Sequence, residues 1–144
     1  YEHVGYNSRL DELQAALLRV LLPHLDEWSD GRRAAERHYA EAGLGELVAL
    51  PVPVEQAEPA WHLYVIRHPL AAQLGEALQR VGIGQRAYYR TPVHRQSAMR
   101  DYPPTTALPA TDELAGTHLA IPMSPVLDRV DAIQVVSAIR EARA

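Results

Sequence analysis

The chain opens with an apolar repeat at the spacing of one face of an α-helix. Its members are Leu10, Leu13, Leu17 and Leu21. Ser8 can cap the start of such a helix, and Pro23 interrupts its far end. We therefore predict an amphipathic helix over about residues 8–22. Its leucine face would be an exposed apolar patch unless another surface covered it.

Helical and extended patterns follow this first helix. A second helical pattern over residues 26–42 ends at Gly43. Residues 47–54 are rich in β-branched side chains but broken by prolines, which predicts a short edge strand or an extended link. An aromatic and β-branched run at residues 61–67 predicts the clearest strand of the chain.

The next helix is predicted over residues 70–81, with Gly82 at its end and a short strand after Gly84. Its inward residues would be Leu70, Leu74, Leu78 and Val81. A strand, a helix and a second strand form a β-α-β unit, which is typical of a small α/β layer.

Two further helices complete the pattern. One opens near Leu108, with Thr111 as its N-cap, and runs to about Leu119. The closing helix covers residues 128–142. Its core-facing residues would be Val130, Ile133, Val135, Val136 and Ile139. The sequence therefore predicts an α/β chain of the α+β type, with long N-terminal helices followed by a small mixed or antiparallel sheet and its helices.

The composition argues against several classes of protein. The 144 residues carry a net charge of −4, which gives no reason to expect nucleic acid or an anionic membrane surface as a partner. No apolar run is long enough to span a membrane. The lack of Cys rules out disulfides and thiolate metal sites and fits a cytoplasmic protein. The seven His fall on separate elements without metal-ligand spacing, so no metal site is predicted.

Two stretches carry groups suited to ligands. Asn7 lies between Gly5 and a helix start, where helix N–H groups favour an anion, although an ordinary helix entry is the alternative. The second stretch, residues 88–96, offers hydrogen bonds and positive charge, as a nucleotide-sugar or phosphate ligand requires. Its polar residues include Tyr88, Tyr89, Arg90, His94, Arg95 and Gln96. A polar surface loop is the alternative for this stretch.

These stretches resemble a known family. The run G-Y-N-S-R-L-D-E-L-Q-A-A at residues 5–16 closely resembles the motif of the DegT/DnrJ/StrS-type sugar aminotransferases, which use pyridoxal phosphate (PLP). Residues 61–67 are similar to the family's His-Leu-Tyr-Val-Ile strand, and residues 88–96 to its aromatic-x-x-Pro-x-His-x-Gln loop. The first aromatic position is more often His in the family and is Tyr88 here. The resemblance covers nearly the whole chain and only the C-terminal part of such an enzyme.

The resemblance implies a fold-type-I enzyme that transfers an amino group from an amino acid, usually glutamate, to a keto nucleotide-sugar. Asn7 matches the family Asn that reaches the PLP phosphate, typically in the neighbouring subunit's site of a homodimer. Arg9 would support that loop or meet substrate phosphate. Residues that would line the substrate entrance are Tyr88, Tyr89, His94 and Gln96, and His62 is a further candidate on the strand. No catalytic residue is assigned to this chain.

The resemblance also divides the chain. Residues 1–45 would be linking helices from a large domain, and residues 46–144 a small C-terminal domain. All fourteen basic residues are Arg, so the chain lacks the Lys amine that holds PLP as a Schiff base. That lysine would lie in the N-terminal domain, and this chain alone should be inactive.

Two alternatives remain open. A PLP-dependent sugar dehydratase of the same family replaces the lysine by a His that would lie upstream. A non-catalytic α/β interaction or regulatory domain is the other class.

Overall fold

The structure is a computed structural model that describes residues 2–3, 5–6 and 9–143. Within these ranges the chain forms five α-helices, namely α1 (Glu12–Leu21), α2 (Leu25–Glu41), α3 (Ala71–Arg80), α4 (Pro109–Thr117) and α5 (Arg129–Arg143). Two strands, β1 (Tyr64–Arg67) and β2 (His118–Ile121), pair antiparallel. The predicted class is confirmed, because long N-terminal helices precede a small antiparallel sheet with helices.

Helix α1 begins later than predicted. Its N-cap is Asp11, whose carboxylate accepts from the Gln14 N–H at 2.7 Å. The Gln14 amide oxygen accepts in return from the Asp11 N–H at 3.3 Å, which completes a capping box. The predicted start at residue 8 is therefore wrong, and Ser8 itself lies outside the described residues. A 3₁₀ turn at Leu22–His24 then carries the chain through Pro23 into α2.

The leucine face of α1 is exposed, as the sequence predicts for an uncovered helix. Leu13 is 72% exposed and Leu17 is 58% exposed, and α1 contributes no buried residue. The helix is therefore held by its own capping and by its junction with α2, not by burial of its apolar stripe.

The sheet has a split β-α-β arrangement. Ala120 of β2 lies opposite Val65 of β1. On its other side, Ala120 exchanges two backbone hydrogen bonds with Arg86, at 2.8 and 3.0 Å. Since both neighbours run antiparallel to β2, β1 and the segment at Arg86 run parallel, with β2 between them. The predicted second strand after Gly84 is thus only a single bridge.

The other edge of the sheet is also formed by a single bridge. The predicted extended segment at residues 47–54 pairs with β1 only through Ala49 and Arg67. The predicted strand at 61–67 is shorter than expected because Trp61 has a φ of 43°, which interrupts extended backbone. Trp61 instead packs edge-on against Tyr64, with ring centroids 5.0 Å apart.

The core lies on one face of the sheet. Tyr64, Ile66, Leu119 and Ile121 point into it from the strands, and α2, α3 and α5 cover them. The largest side chains from the helices are Tyr39, Leu74, Leu78, Val136 and Ile139.

Several predicted core positions are exposed. Leu70 and Val81 flank α3 as its cap residues rather than lying on its buried face. Val130 and Ile133 are exposed on α5, where Ala132 takes the inner position instead. Thr111 is not an N-cap, because α4 begins at Pro109 and a proline at the first helical position needs no N–H partner.

None of the helices described here is long and apolar enough to cross a membrane.

Gly31 is required for the contact between α2 and the segment after β2. A Cβ at Gly31 would lie 2.3 Å from the backbone oxygen of Pro125. We expect Gly31→Ala to lower the free energy of unfolding by about 1–3 kcal/mol, the usual cost of overpacking, measured by urea unfolding. The control is Gly116→Ala in α4, where no atom lies within 4 Å of the added Cβ. That variant should gain up to about 1 kcal/mol from helix propensity, and equal effects of the two substitutions would contradict the packing argument.

Two buried tyrosines make stability fall at high pH. Burial, with a smaller effect of Glu36, raises the pKa of Tyr64 to about 12. Burial, followed by the charges of Asp131 and Tyr64, also raises the pKa of Tyr39. The stability linked to these protons is fully present below about pH 10, where unfolded tyrosine also stays protonated. Above it the unfolded chain loses protons that the folded chain keeps, so stability falls by up to about 1.4 kcal/mol per pH unit for each group.

Urea unfolding between pH 9 and pH 12 measures this slope. Tyr64→Phe removes one titrating group and should flatten the decline, whereas the exposed Tyr102→Phe should leave it unchanged. An identical slope in the wild type and Tyr64→Phe would overturn the assignment.

Candidate functional site

The polar segment at residues 88–96 lies against the face of the sheet opposite the core. Val65 and His118 are presented on that face by β1 and β2. Helix α4 lies on the far side of the segment, and together these elements line an open cavity of about 320 Å³. Its lining consists of Val65, Tyr88, Tyr89, Pro92, Val93, Thr111, Leu114, Ala115 and His118. The walls are therefore aliphatic and aromatic with a few polar groups, as in small-molecule sites.

The two tyrosines form the aromatic wall. Their rings meet edge to face, with centroids 6.1 Å apart and planes at 82°, a favoured aromatic geometry. The Arg86 guanidinium lies over the Tyr88 ring at 5.2 Å from its centroid, within range of a cation–π contact. Tyr88 is half-buried by these neighbours, whereas Tyr89 is 63% exposed. A ligand ring would therefore meet one fixed and one accessible aromatic face.

Asp112 of α4 ties the segment down. Its carboxylate lies 3.2 Å from His94 Nε2 and 2.7 Å from an Arg95 guanidinium nitrogen. Asp112 Oδ1, the oxygen that lies near His94, is buried and makes no hydrogen bond. The ion pair with Arg95 therefore ties the segment to α4, and His94 packs closely beside the same carboxylate.

Hydrogen bonds within the segment add a second restraint. The Gln96 side-chain amide donates to the Thr91 carbonyl at 2.8 Å. A 3₁₀ turn at Val93–Arg95 follows Pro92, and the Gln96 N–H donates to the Val93 carbonyl at 3.0 Å. Gln96 therefore supports the shape of the loop that carries His94.

A second cavity of about 410 Å³ adjoins the first, since Pro92 and Ala115 line both. Arg90, Arg95 and Asp112 provide its charged groups. Because Arg95 already pairs with Asp112, Arg90 is the guanidinium that this cavity offers to a phosphate. An apolar aromatic cavity beside it suits a ligand with a ring at one end and phosphate at the other.

The structure brings together four of the predicted site residues. Tyr88 and Tyr89 line the first cavity, while His94 and Gln96 belong to the loop that borders it. Arg9 is exposed ahead of α1, and His62 is exposed ahead of β1. Asn7, the predicted cofactor residue, lies outside the described residues. The ligand roles of all these residues stay predictions.

Sequence reasoning missed two residues of this region. It gave Asp112 and His118 no role in the site, whereas Arg90 was among the polar residues of the 88–96 stretch. The two-residue period of β2 offered a signal for His118, because Leu119 and Ile121 on the core face place His118 on the other one. Nothing in the local sequence indicated that Asp112 would meet His94, eighteen positions earlier in the printed sequence.

Cofactor and metal fits can be tested on the side chains. No group of three or more His, Asp or Glu among the described residues could hold a metal ion. The sequence contains no Lys amine for a Schiff base with PLP. The described residues therefore do not form a PLP site by themselves.

Known proteins resemble this chain along its length. It is 39% identical over 144 residues to dTDP-3-amino-3,4,6-trideoxy-alpha-D-glucose transaminase of Streptomyces venezuelae, covering 98% of this chain and 38% of the relative. It is 36% identical over 142 residues to UDP-N-acetyl-3-dehydro-alpha-D-glucosamine 3-aminotransferase of Acidithiobacillus ferrooxidans, covering 97% of this chain and 38% of that protein. The chain thus spans well under half the length of these relatives.

The fold agrees with a solved structure. S. venezuelae DesV, crystallised in complex with a ketimine intermediate, matches with a TM-score of 0.85 and 38% sequence identity, over 99% of this chain and 39% of DesV. The sequence model of the DegT/DnrJ/EryC1/StrS aminotransferase family matches residues 1–140. This chain belongs to the DegT/DnrJ/EryC1/StrS aminotransferase family.

Proposed function

We propose that this chain is the C-terminal, substrate-facing part of a PLP-dependent sugar aminotransferase. The enzyme would transfer an amino group from an amino acid, glutamate first among the candidates, to a keto group of a nucleotide-sugar. The observation that carries the proposal is the family match over residues 1–140. Relatives named as transaminases of dTDP- and UDP-linked sugars support the substrate class.

The paired cavities support the same substrate. A nucleotide-sugar has uncharged rings joined by a diphosphate. The cavity beside Tyr88 is apolar, while its neighbour carries Arg90 and the Arg95–Asp112 ion pair. Tyrosine rings pack against flat or apolar ring faces. A guanidinium group can donate two parallel hydrogen bonds to the oxygens of one phosphate. His94 and Gln96 would keep the loop in place between the two ends of the ligand.

PLP, when bound, would carry the amino group between donor and acceptor. Its Schiff-base lysine would come from a part of the protein outside this chain, so the chain alone should be inactive. Asn7 is proposed to contact the PLP phosphate across a homodimer interface, with Arg9 supporting that loop or meeting substrate phosphate.

The domain division follows the same proposal. Residues 1–45 would link a larger domain to the small domain at residues 46–144. The exposed leucine face of α1 suits a linking role, although α2 already packs into the core through Ala35 and Tyr39. A cytoplasmic location suits a sequence without Cys.

The reaction class predicts a spectroscopic result. The full-length gene product, purified with PLP, should have a visible absorption band that disappears when glutamate is added, because the amino group moves onto the cofactor. The measurement is an absorbance scan before and after addition, with buffer alone as the control. If the protein does not bind PLP, the proposal that it is a PLP enzyme is wrong. If it binds PLP but no amino donor removes the absorption band, the proposal of an aminotransferase is wrong.

The charged cavity predicts a binding result. Arg90→Gln should weaken dTDP binding to the full-length protein by about five- to tenfold, which corresponds to about 1–1.4 kcal/mol for one partly exposed charged hydrogen bond. Isothermal titration calorimetry measures it. Arg100→Gln removes the same charge from another exposed position and should leave the affinity within twofold. Equal losses in both variants would mean that only net charge matters.

A further inference from the structure

His118 is buried, yet only one of its two ring nitrogens has a partner. The residue is 5% exposed and lies on the outer face of β2. Its Nδ1 contacts the carbonyl oxygen of Leu114, in the preceding helix. Its Nε2 is also buried and has no hydrogen-bond partner among the described residues.

The contact with Leu114 fixes the role of each nitrogen. A carbonyl oxygen can only accept, so Nδ1 must carry the N–H that donates to it. A neutral imidazole has a single N–H, which leaves a lone pair on Nε2. In the neutral ring, Nε2 can therefore only accept a hydrogen bond, and no donor among the described residues supplies one. Buried polar groups of this kind in native proteins usually bind a water or a ligand.

The side chains around His118 indicate what kind of ligand could donate a hydrogen bond to it. His118 lines the 320 Å³ cavity together with Val65, Leu114, Tyr88 and Tyr89. These walls suit the face of a ring, and the cavity falls within the size range of small-molecule sites. No acidic or cationic side chain lines this cavity among the described residues, so the ring portion that fits is uncharged.

We propose that this cavity is the ring subsite of the ligand and that His118 Nε2 accepts a hydrogen bond from an O–H or N–H of an uncharged ring. The inference rests on the proposed function, in which the ligand is a nucleotide-sugar. Two rings of that ligand share this chemistry, namely the hexose through a hydroxyl and a pyrimidine base through its ring N–H. His118 acts in binding and selects rings that carry a donor.

The test observes the nitrogen itself. The full-length protein is labelled with ¹⁵N-histidine, and the His118 side-chain signals are identified by their loss in a His118 variant. Adding dTDP-glucose should shift the Nε2 resonance upfield, because its lone pair accepts a hydrogen bond. Two further titrations use dTDP, which lacks the hexose, and glucose 1-phosphate, which lacks the base. The ligand that reproduces the shift contains the ring that binds His118.

Two variants separate binding from folding. His118→Asn keeps an amide N–H near the Nδ1 position, for Leu114, and removes the acceptor. It should retain the wild-type melting temperature within a few degrees and bind dTDP-glucose about tenfold more weakly. His118→Gln places an amide oxygen near the Nε2 position and should recover part of that affinity. If His118→Asn does not fold, the titration of the wild-type protein still decides the question.

The outcomes are distinct. If dTDP-glucose binds without shifting Nε2, or does not bind at all, the inference is overturned, and a buried water is left as the partner of His118. Discharge of the PLP band by glutamate is independent of His118. If glutamate removes the PLP band but dTDP-glucose does not shift the His118 Nε2 resonance, the inference is therefore wrong and the proposed function is unaffected.

Discussion

The hydrogen bond from the Tyr39 hydroxyl to the Pro122 carbonyl, at 2.6 Å, holds the helical and strand layers together. Tyr39 lies in α2, whereas Pro122 immediately follows β2. The Tyr39 ring also stacks on Tyr64 of β1, with centroids 5.6 Å apart and planes at 14°. Both side chains are almost completely buried, and a buried hydroxyl without a partner would be costly. The position of β2 against the core is therefore set by α2, through a contact between residues 83 positions apart in the sequence.

Strand β2 passes that position on to the site. Leu119 and Ile121 bury themselves in the core, while His118 and Ala120 are buried on the other face. The two-residue period of a strand makes the separation obligatory, because a shift by one residue would move His118 into the core and Leu119 into the cavity. The backbone of Ala120 also binds Arg86. This places Arg86, two positions before the polar segment at residues 88–96, beside the same strand.

Helix α4 completes the site through charge and backbone contacts. Asp112 holds His94 and Arg95 near its first turn, and the Leu114 carbonyl orients the His118 ring. The helix thus fixes the loop on one side and the histidine on the other. It makes this contribution without a single fully buried residue of its own. Its role is to position polar groups rather than to fill the core.

The sequence by itself determined the elements and the family. Helical spacing, Gly and Pro punctuation and the β-branched run at residues 61–67 predicted the helices and the main strand, because these signals are local. The motif at residues 5–16 and the loop at 88–96 identified the family. Local signals were less reliable at the ends of elements, where Asp11 replaced Ser8 as the cap of α1 and Trp61 left the strand.

Only the tertiary structure decided which residues meet. The insertion of β2 between β1 and Arg86, the pairing of Asp112 with His94 and the unpartnered nitrogen of His118 all depend on segments distant in sequence. Exposure of Val130 and Ile133 likewise depends on which face of α5 packs into the core against α2 and α3. A sequence encodes the period of each element, whereas the choice of face and neighbour is made by the packing of all elements together.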